Sequence, residues 1–390
     1  MMSPLNPVFA DRPMTIFAVM SALAKDHGAV NLGQGFPDED GPSALVETAI
    51  AALRDGPNQY APVQGTPELR SAVAAANRRF YGLEIDWQTE TLVTAGATEA
   101  LAAALFATLR AGDDALLIAP CYDSYAPIVE AAGARPVYLN LQPPFWRIDA
   151  EALKTVITPN TRIIVINSPH NPTGRVLTNE ELQAIADIAC ERDLIIICDE
   201  VYEHLVFDGA PHLPLMTFPG MRERCVRIGS AGKTFSMTGW RIGYATGPEA
   251  LITGMLKAHQ FITYTCPPHL QYAVASGLNF SDEYFSRFTS MMQAKREMII
   301  RKLVDVGFDA LPCEGTYFVT ADFSRLSRLD DVDFCRELTM KAGVAAVPVS
   351  AFYPAVDAAP RSLARFCFCK RPEVIEEAAL RLKRYFGPTG

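Results

Sequence analysis

The chain has 390 residues, 49% of them hydrophobic, with a mean hydropathy of +0.09; this suits one large domain with a smaller one rather than a string of modules. Thirty-five lysines and arginines against 44 aspartates and glutamates leave a net charge of −9, which cannot neutralise a phosphate backbone and argues against nucleic acid. The nine cysteines are scattered without CxxC spacing and the six histidines show no ligand pattern, so no metal site and a reduced, cytoplasmic setting are expected. Pro4, Pro7, Asp11, Arg12 and Pro13 interrupt the first twenty residues, which leaves no apolar signal core. Runs such as Leu194–Cys198 have strand length and are too short to span a bilayer.

From about residue 90, short β-branched runs alternate with helical patterns. The spacing predicts strands at Thr91–Thr94, Ala115–Ile118, Pro136–Leu139, Ile163–Ile166, Leu194–Cys198, Val226–Ile228 and Gly243–Thr246. Several are apolar on both faces, as a parallel sheet covered by helices requires. Thr98–Arg110 is rich in alanine and leucine nearly all round and reads as a buried helix. Thr178 with Glu181 reads as a capping box, and Leu182, Ile185, Ala186 and Ala189 follow on one helical face. After residue 285 the texture changes to a mixed-charge helix, Ser286–Val306, then Gly315–Val319, a strand-like run Leu363–Cys369 and a helix from Pro372. The pattern predicts an α/β domain over 46–289 and a smaller α+β domain made of 1–45 and 290–390. Cys367 and Cys369 would share one face of their strand, which suits packing.

The residues able to carry chemistry follow the predicted strands. Lys233 stands among small residues in Ser230-Ala231-Gly232-Lys233, after Val226–Ile228, where open α/β sheets bind ligands. Burial there lowers an amine's pKa and frees it to form an imine. Taken alone it is an ordinary loop lysine, and the SxxK pattern lacks the SDN or KTG elements of penicillin-binding enzymes. Asp199, after Leu194–Cys198, can hold a ring nitrogen protonated or merely cap a helix. Tyr202 would share its face if a helix began there. In Ser168-Pro169-His170-Asn171-Pro172 two prolines bracket Asn171 and fix the direction of its amide. Gly96-Ala97-Thr98 opens a helix whose N–H groups suit an anion, although capping alone explains Thr98. Arg241 suits a phosphate or a surface salt bridge. Arg365, in the apolar run Leu363–Cys367, needs a partner, either a substrate carboxylate or a structural one.

In this order the segments resemble the fold-type I, class I aminotransferases, nearest to the kynurenine aminotransferase, glutamine transaminase K and methionine aminotransferase branch. They are NLGQGFPDEDGP (31–42), NQYAPVQGTPELR (58–70), SPHNPTGRVLT (168–178), DEVYEHLVFDG (199–209), GSAGKTFSMTGWRIGY (229–244), EGTYF (314–318) and RFCF (365–368). The resemblance implies a mostly parallel seven-stranded sheet flanked by helices, a smaller α+β domain and pyridoxal 5'-phosphate as cofactor. It implies that Lys233 is the Schiff-base lysine and proton shuttle, that Asp199 faces the pyridine nitrogen, and that Tyr202 and Asn171 donate to the phenolate oxygen. Tyr122 matches a ring stacked on the pyridine. Ala97, Thr98, Ser230 and Arg241 match the phosphate cup. Tyr60 matches a tyrosine reaching the neighbouring subunit's phosphate, which implies a homodimer with shared sites. Arg365, with Asn171 and the backbone of Gly35, matches the α-carboxylate clamp.

Three positions depart from that branch, one of them Arg241, which stands where some members have lysine; either cation serves. Thr98 stands where many members carry an aromatic residue, and Phe17 where relatives can place a tryptophan. Phe17, Tyr60 and Phe352 suggest an aromatic-lined pocket for neutral donors such as methionine, glutamine, phenylalanine or kynurenine, exchanged with 2-oxo acids by a ping-pong route. The alternatives within the fold are a cysteine-conjugate or cystathionine β-lyase and an N-succinyldiaminopimelate aminotransferase. A transcription factor with an aminotransferase-like domain is disfavoured by the acidic charge and by segments that begin at Asn31; an inactive binding protein is disfavoured because every expected polar position is filled.

Overall fold

The structure, a computed structural model, describes residues 5–10, 12–355 and 358–387. Pro4 and Asp11, and the outermost residues of the smaller predicted domain, lie outside them. The strands are β1 (Val30–Asn31), β2 (Thr91–Thr94), β3 (Asp114–Ala119), β4 (Arg135–Asn140), β5 (Thr161–Asn167), β6 (Ile195–Asp199), β7 (Cys225–Ser230), β8 (Gly243–Thr246), β9 (Asp309–Ala310), β10 (Phe318–Asp322), β11 (Val344–Ala345), β12 (Val347–Pro348) and β13 (Leu363–Cys367). The seven runs predicted between residues 91 and 246 form one sheet, in the order β2-β8-β7-β6-β5-β3-β4. All pairings are parallel except those of β8, which runs against both β2 and β7.

The two-sided apolarity of these strands has a direct cause. One face packs on Ala100, Leu101 and Leu105 of the helix Ala97–Thr108, and the other on Leu182, Ile185 and Ala189 of the helix Asn179–Glu191. The second helix opens with the predicted capping box between Thr178 and Glu181; Glu181 also holds Arg175. Because the strands are parallel, their carboxyl ends lie on one edge. Register sets Asn167 beside Asp199, Asp199 beside Ile228, and Ser230 and Thr94 on either side of Gly243. That edge is where the candidate residues converge.

A second, four-stranded sheet has the order β12-β13-β10-β9, and β1 pairs in parallel with β11, so the N-terminal segment is stitched to the C-terminal part. The Cys367 N–H donates to the Leu32 carbonyl at 2.7 Å and adds a second stitch. The long helix spans Asp282–Val304, four residues ahead of the expected Ser286, because Asp282 and Glu283 suit the positive end of its dipole. β13 ends at Cys367 rather than Cys369, since the chain turns off to bring Lys370 onto the Phe36 carbonyl and Asp38. Cys367 and Cys369 remain packed together, their sulfurs 3.1 Å apart. Val201, Tyr202, Leu205 and Phe207, which follow β6, share one core with Phe318 and Phe366; the large sheet's edge is thus anchored in the smaller unit. Among the described residues no helix is long and apolar enough to cross a membrane.

One backbone contact fixes the first turn of Ala97–Thr108. A Cβ on Gly243 would lie 2.5 Å from the Gly96 carbonyl carbon and 2.7 Å from the Ala97 nitrogen, and Gly96 itself has φ 80°. Gly243→Ala should cost on the order of 1–3 kcal/mol of stability by forcing these backbones apart. Thermal unfolding against the parent protein measures it.

Candidate active site

A cavity of about 360 Å³ opens along the carboxyl edge of the large sheet, within the size range of small-molecule sites. The first turn of the helix Ala97–Thr108 contributes Ala97 and Thr98; β5 and its loop contribute Asn167 and Asn171. Asp199 and Tyr202 enter from the end of β6, Ser230 and Lys233 from the end of β7, and Arg365 from the central strand of the smaller sheet. Tyr122, Phe17, Gly35 and Arg241 complete the wall among the predicted residues.

Lys233 lies in a one-turn helix, Ala231–Thr234. Burial, aided by the Arg241 charge, pushes its amine below the ordinary lysine value, while the neighbouring thiols and Asp199 pull the other way. Its Nζ donates to the Tyr317 hydroxyl at 2.7 Å. Asp199, 6% exposed, is pushed up to about 6 by burial, against a hydrogen bond from Tyr125, one from the Val201 N–H and the Lys233 charge. The Tyr125 hydroxyl donates to Asp199 Oδ2 at 2.6 Å. A buried carboxylate held this way can meet a protonated ring nitrogen, which would return it to the ionised form. Asn167 braces the same corner, donating from Nδ2 to the Asp199 carbonyl at 2.8 Å and accepting the Asn171 N–H at 2.7 Å.

Arg365 is fully buried, yet no carboxylate lies within salt-bridge distance of it among the described residues. Its Nη1 donates to Asn171 Oδ1 at 2.7 Å and its Nη2 to the Gly33 carbonyl at 2.8 Å. Rings of Phe318, Phe352 and Phe17 lie 3.8, 5.0 and 5.1 Å from its guanidinium carbon. Its Nε has no partner. The structural carboxylate expected as one alternative is therefore absent from these contacts, and every hydrogen-bond partner of the guanidinium is neutral. Because Asn171 Oδ1 is occupied by Arg365, its amide nitrogen is the end left to donate into the cavity.

At the far end, Arg241 packs under Gly96, where a Cβ would meet Nη2 at 2.5 Å, and donates to the Thr238 carbonyl at 3.1 Å. No carboxylate pairs with it among the described residues. With the N-terminal turn at Ala97 and the Ser230 hydroxyl, this corner suits an anion. Four sequence expectations change. Tyr202 lies in a run of turns, residues 201–204, rather than on a helix, because those residues dive into the smaller unit's core; Asp199 ends a strand and caps nothing. Thr98 sits within the helix, whose cap position is Gly96 with no side-chain cap, so its hydroxyl is free to turn toward Tyr122. Phe352 lies in the cage around Arg365 rather than on the cavity wall. Tyr60 lies away from this cavity, 81% exposed, with its ring 5.2 Å from that of Tyr264.

Sequence reasoning passed over Tyr125, Tyr317, Asn167 and Asp123. The first two act through hydroxyls on partners 74 and 84 residues away, which no local pattern reports. Asp123 was visible beside Tyr122; one of its oxygens is buried without a partner, and burial raises its pKa against the pull of Arg365.

A lysine and a carboxylate at adjacent strand ends, an anion corner at a helix N-terminus and a buried arginine from a second unit define a fold-type I pyridoxal-phosphate enzyme. The family model for class I and II aminotransferases matches residues 27–382, and the chain belongs to that family. A probable N-succinyldiaminopimelate aminotransferase, DapC, of Mycobacterium tuberculosis is 48% identical over 377 residues, covering 94% of this chain and 95% of the relative. The methionine aminotransferase of Escherichia coli is 40% identical, with 95% of each chain covered. The solved N-succinyldiaminopimelate aminotransferase of M. tuberculosis superposes with a TM-score of 0.95 at 47% identity, covering 98% of this chain and 100% of that one. The protein is an aminotransferase that acts on amino and oxo acids, with pyridoxal phosphate as its cofactor.

The Tyr125 hydrogen bond stabilises the charged form of Asp199, so its removal moves the carboxyl further up. In the apoprotein, Tyr125→Phe should carry the Asp199 midpoint above about 6, read by carboxyl-carbon NMR titration.

Proposed function

We propose that this chain transfers the amino group of a neutral, sulfur-containing or aromatic L-amino acid to a 2-oxo acid, working in the cytoplasm as a homodimer with composite sites. One observation carries the reading: a fully buried guanidinium with neutral partners and an unpaired Nε in a wall built with Phe17, Tyr122 and Phe318. Such a charge favours an α-carboxylate, and the rings beside it favour an apolar side chain. Among the described residues, the cavity's cations are Lys233, Arg241 and Arg365. Each has a task in this reading, and the cavity-lining Asp123 offers no partner to an acidic side chain.

The residues fit the cofactor. Arg241, Ser230, Thr98 and the Ala97 N–H would hold its phosphate, with Tyr60 of a second copy. Asp199, oriented by Tyr125, would face the ring nitrogen; Asn171 and Tyr202 would donate to the ring oxygen, and Tyr122 would stack. When bound, pyridoxal phosphate supplies an electron sink for the pair left as a proton departs from Cα. Lys233, lowered by burial, would be the base that takes that proton from Cα and holds it for return to the reacting atoms. Arg365, Asn171 and the Gly35 backbone hold the donor's carboxylate so that the Cα–H faces this amine. The exposed Tyr60–Tyr264 pair, with Phe261 86% exposed, supports the dimer, since such a patch favours cover by a partner. The division into 46–289 and 1–45 with 290–390 belongs to the same reading.

The second reading, an N-succinyldiaminopimelate donor, is favoured by the 48% identity to the M. tuberculosis relative. A panel of methionine, glutamine, phenylalanine, kynurenine, aspartate and N-succinyldiaminopimelate against 2-oxo acids separates the two. Neutral donors should lead, and dominance of the succinylated donor selects the second reading; aspartate outpacing every neutral donor sinks the first. Borohydride reduction of the holoenzyme should leave a pyridoxyl adduct on Lys233 by peptide mass. Arg365→Lys should lower kcat/KM for the donor roughly 10- to 100-fold, the loss of about one charge-assisted hydrogen bond, read in steady-state assays.

A further inference from the structure

Tyr317 stands outside every assignment made above and touches the most important of them. It is 1% exposed and does not line the cavity. Its hydroxyl accepts from Lys233 Nζ at 2.7 Å and donates to the Gly35 carbonyl at 2.9 Å. The ring is held edge-on to Tyr202 at 5.2 Å and to Phe318 at 4.8 Å. The backbone around it is equally fixed. Thr316 N–H donates to the Leu205 carbonyl at 2.9 Å, and the Thr316 hydroxyl accepts the Phe318 N–H at 3.1 Å. Gly35 has to be glycine for this approach: a Cβ there would lie 2.4 Å from the Phe318 ring and 3.1 Å from the Tyr317 ring.

The direction of these bonds matters. A phenol has one proton, and here it is given to a carbonyl, so only a lone pair faces the lysine. That polarised oxygen favours an amine that carries positive charge. Lys233 has no carboxylate within ion-pair distance among the described residues, so an ammonium formed at this depth depends on such neutral oxygens.

We propose that Tyr317 is a positioning residue that receives the free Lys233 amine and stabilises the charge it gains while it carries the substrate's Cα proton. The proposal rests on the reading of Lys233 as the proton carrier. Through Gly35 the same hydroxyl ties the lysine to the segment whose Gly33 carbonyl holds Arg365, so the proton carrier and the carboxylate clamp share one rigid strap.

Tyr317→Phe keeps the ring packing and removes one oxygen. In the holoenzyme, the donor half-reaction, followed through cofactor absorbance, should slow roughly 10- to 100-fold. The isotope effect with Cα-deuterated donor should grow, and the donor KM should stay within about two-fold because Arg365 keeps its contacts to Asn171 and Gly33. In the apoprotein, the ammonium loses an acceptor, so the pH midpoint for capture of added pyridoxal phosphate should move to lower pH. A tyrosine fluorinated beside the hydroxyl keeps the shape but weakens the oxygen as an acceptor; it should produce the same shifts in smaller measure, and serves if the phenylalanine variant folds poorly. An unchanged isotope effect together with an unchanged capture midpoint overturns the proposal. Should Lys233→Ala abolish turnover in that case, the reading of Lys233 stands and only that of Tyr317 falls; full turnover in Lys233→Ala removes both.

Discussion

Burying the Arg365 guanidinium is the constraint that organises this molecule. An arginine in the middle of an apolar strand must find its hydrogen bonds locally, and β13 offers none to a side chain. The chain answers from three distant places: Asn171 from the large sheet's edge, the Gly33 carbonyl from the N-terminal segment, and aromatic faces from Phe17, Phe318 and Phe352. Satisfying one charge thereby pulls both sheets and the N-terminal strand around a single cavity. All of these partners are neutral. Burial pushes the arginine down to about 10, which leaves it charged at neutral pH, with room for one anion.

Beneath the cavity a second buried cluster does the opposite and pairs its charged groups with one another. Glu200, the residue after Asp199, meets Arg227 and His212, and Arg227 also reaches Glu203 and lies 4.6 Å from the centre of the Tyr81 ring. This network pins the end of β6 from behind, so Asp199 faces the cavity from a fixed base. Charge in this protein is paired where position is needed and left without a counter-ion where a ligand is needed.

Much of this was legible in the residues. The seven strands of the large sheet could be read because burial on both faces demands continuous apolar runs, and β2 and β8 fall within the bounds that spacing suggests. The capping box at Thr178 is a local event and appears as such. What escaped depends on tertiary contact. The three-residue spacing from Asp199 to Tyr202 has a helical meaning, whereas the chain there forms turns and spends its apolar residues on the smaller unit's core. Tyr125 and Tyr317 look like ordinary core aromatics until their hydroxyls are seen on Asp199 and Lys233. Whether Arg365 has a carboxylate partner is a question the residues raise and only three dimensions answer, since any carboxylate of the chain could close it.

The pairing of β1 with β11 has a further consequence. The described residues up to Phe36 supply the Gly33 carbonyl to Arg365 and the Gly35 carbonyl to Tyr317, and they are held by this pairing together with Met20 and Leu32 in the smaller unit's core. Proteolytic trimming of this segment would strip acceptors from a buried arginine and from a tyrosine that touches the lysine.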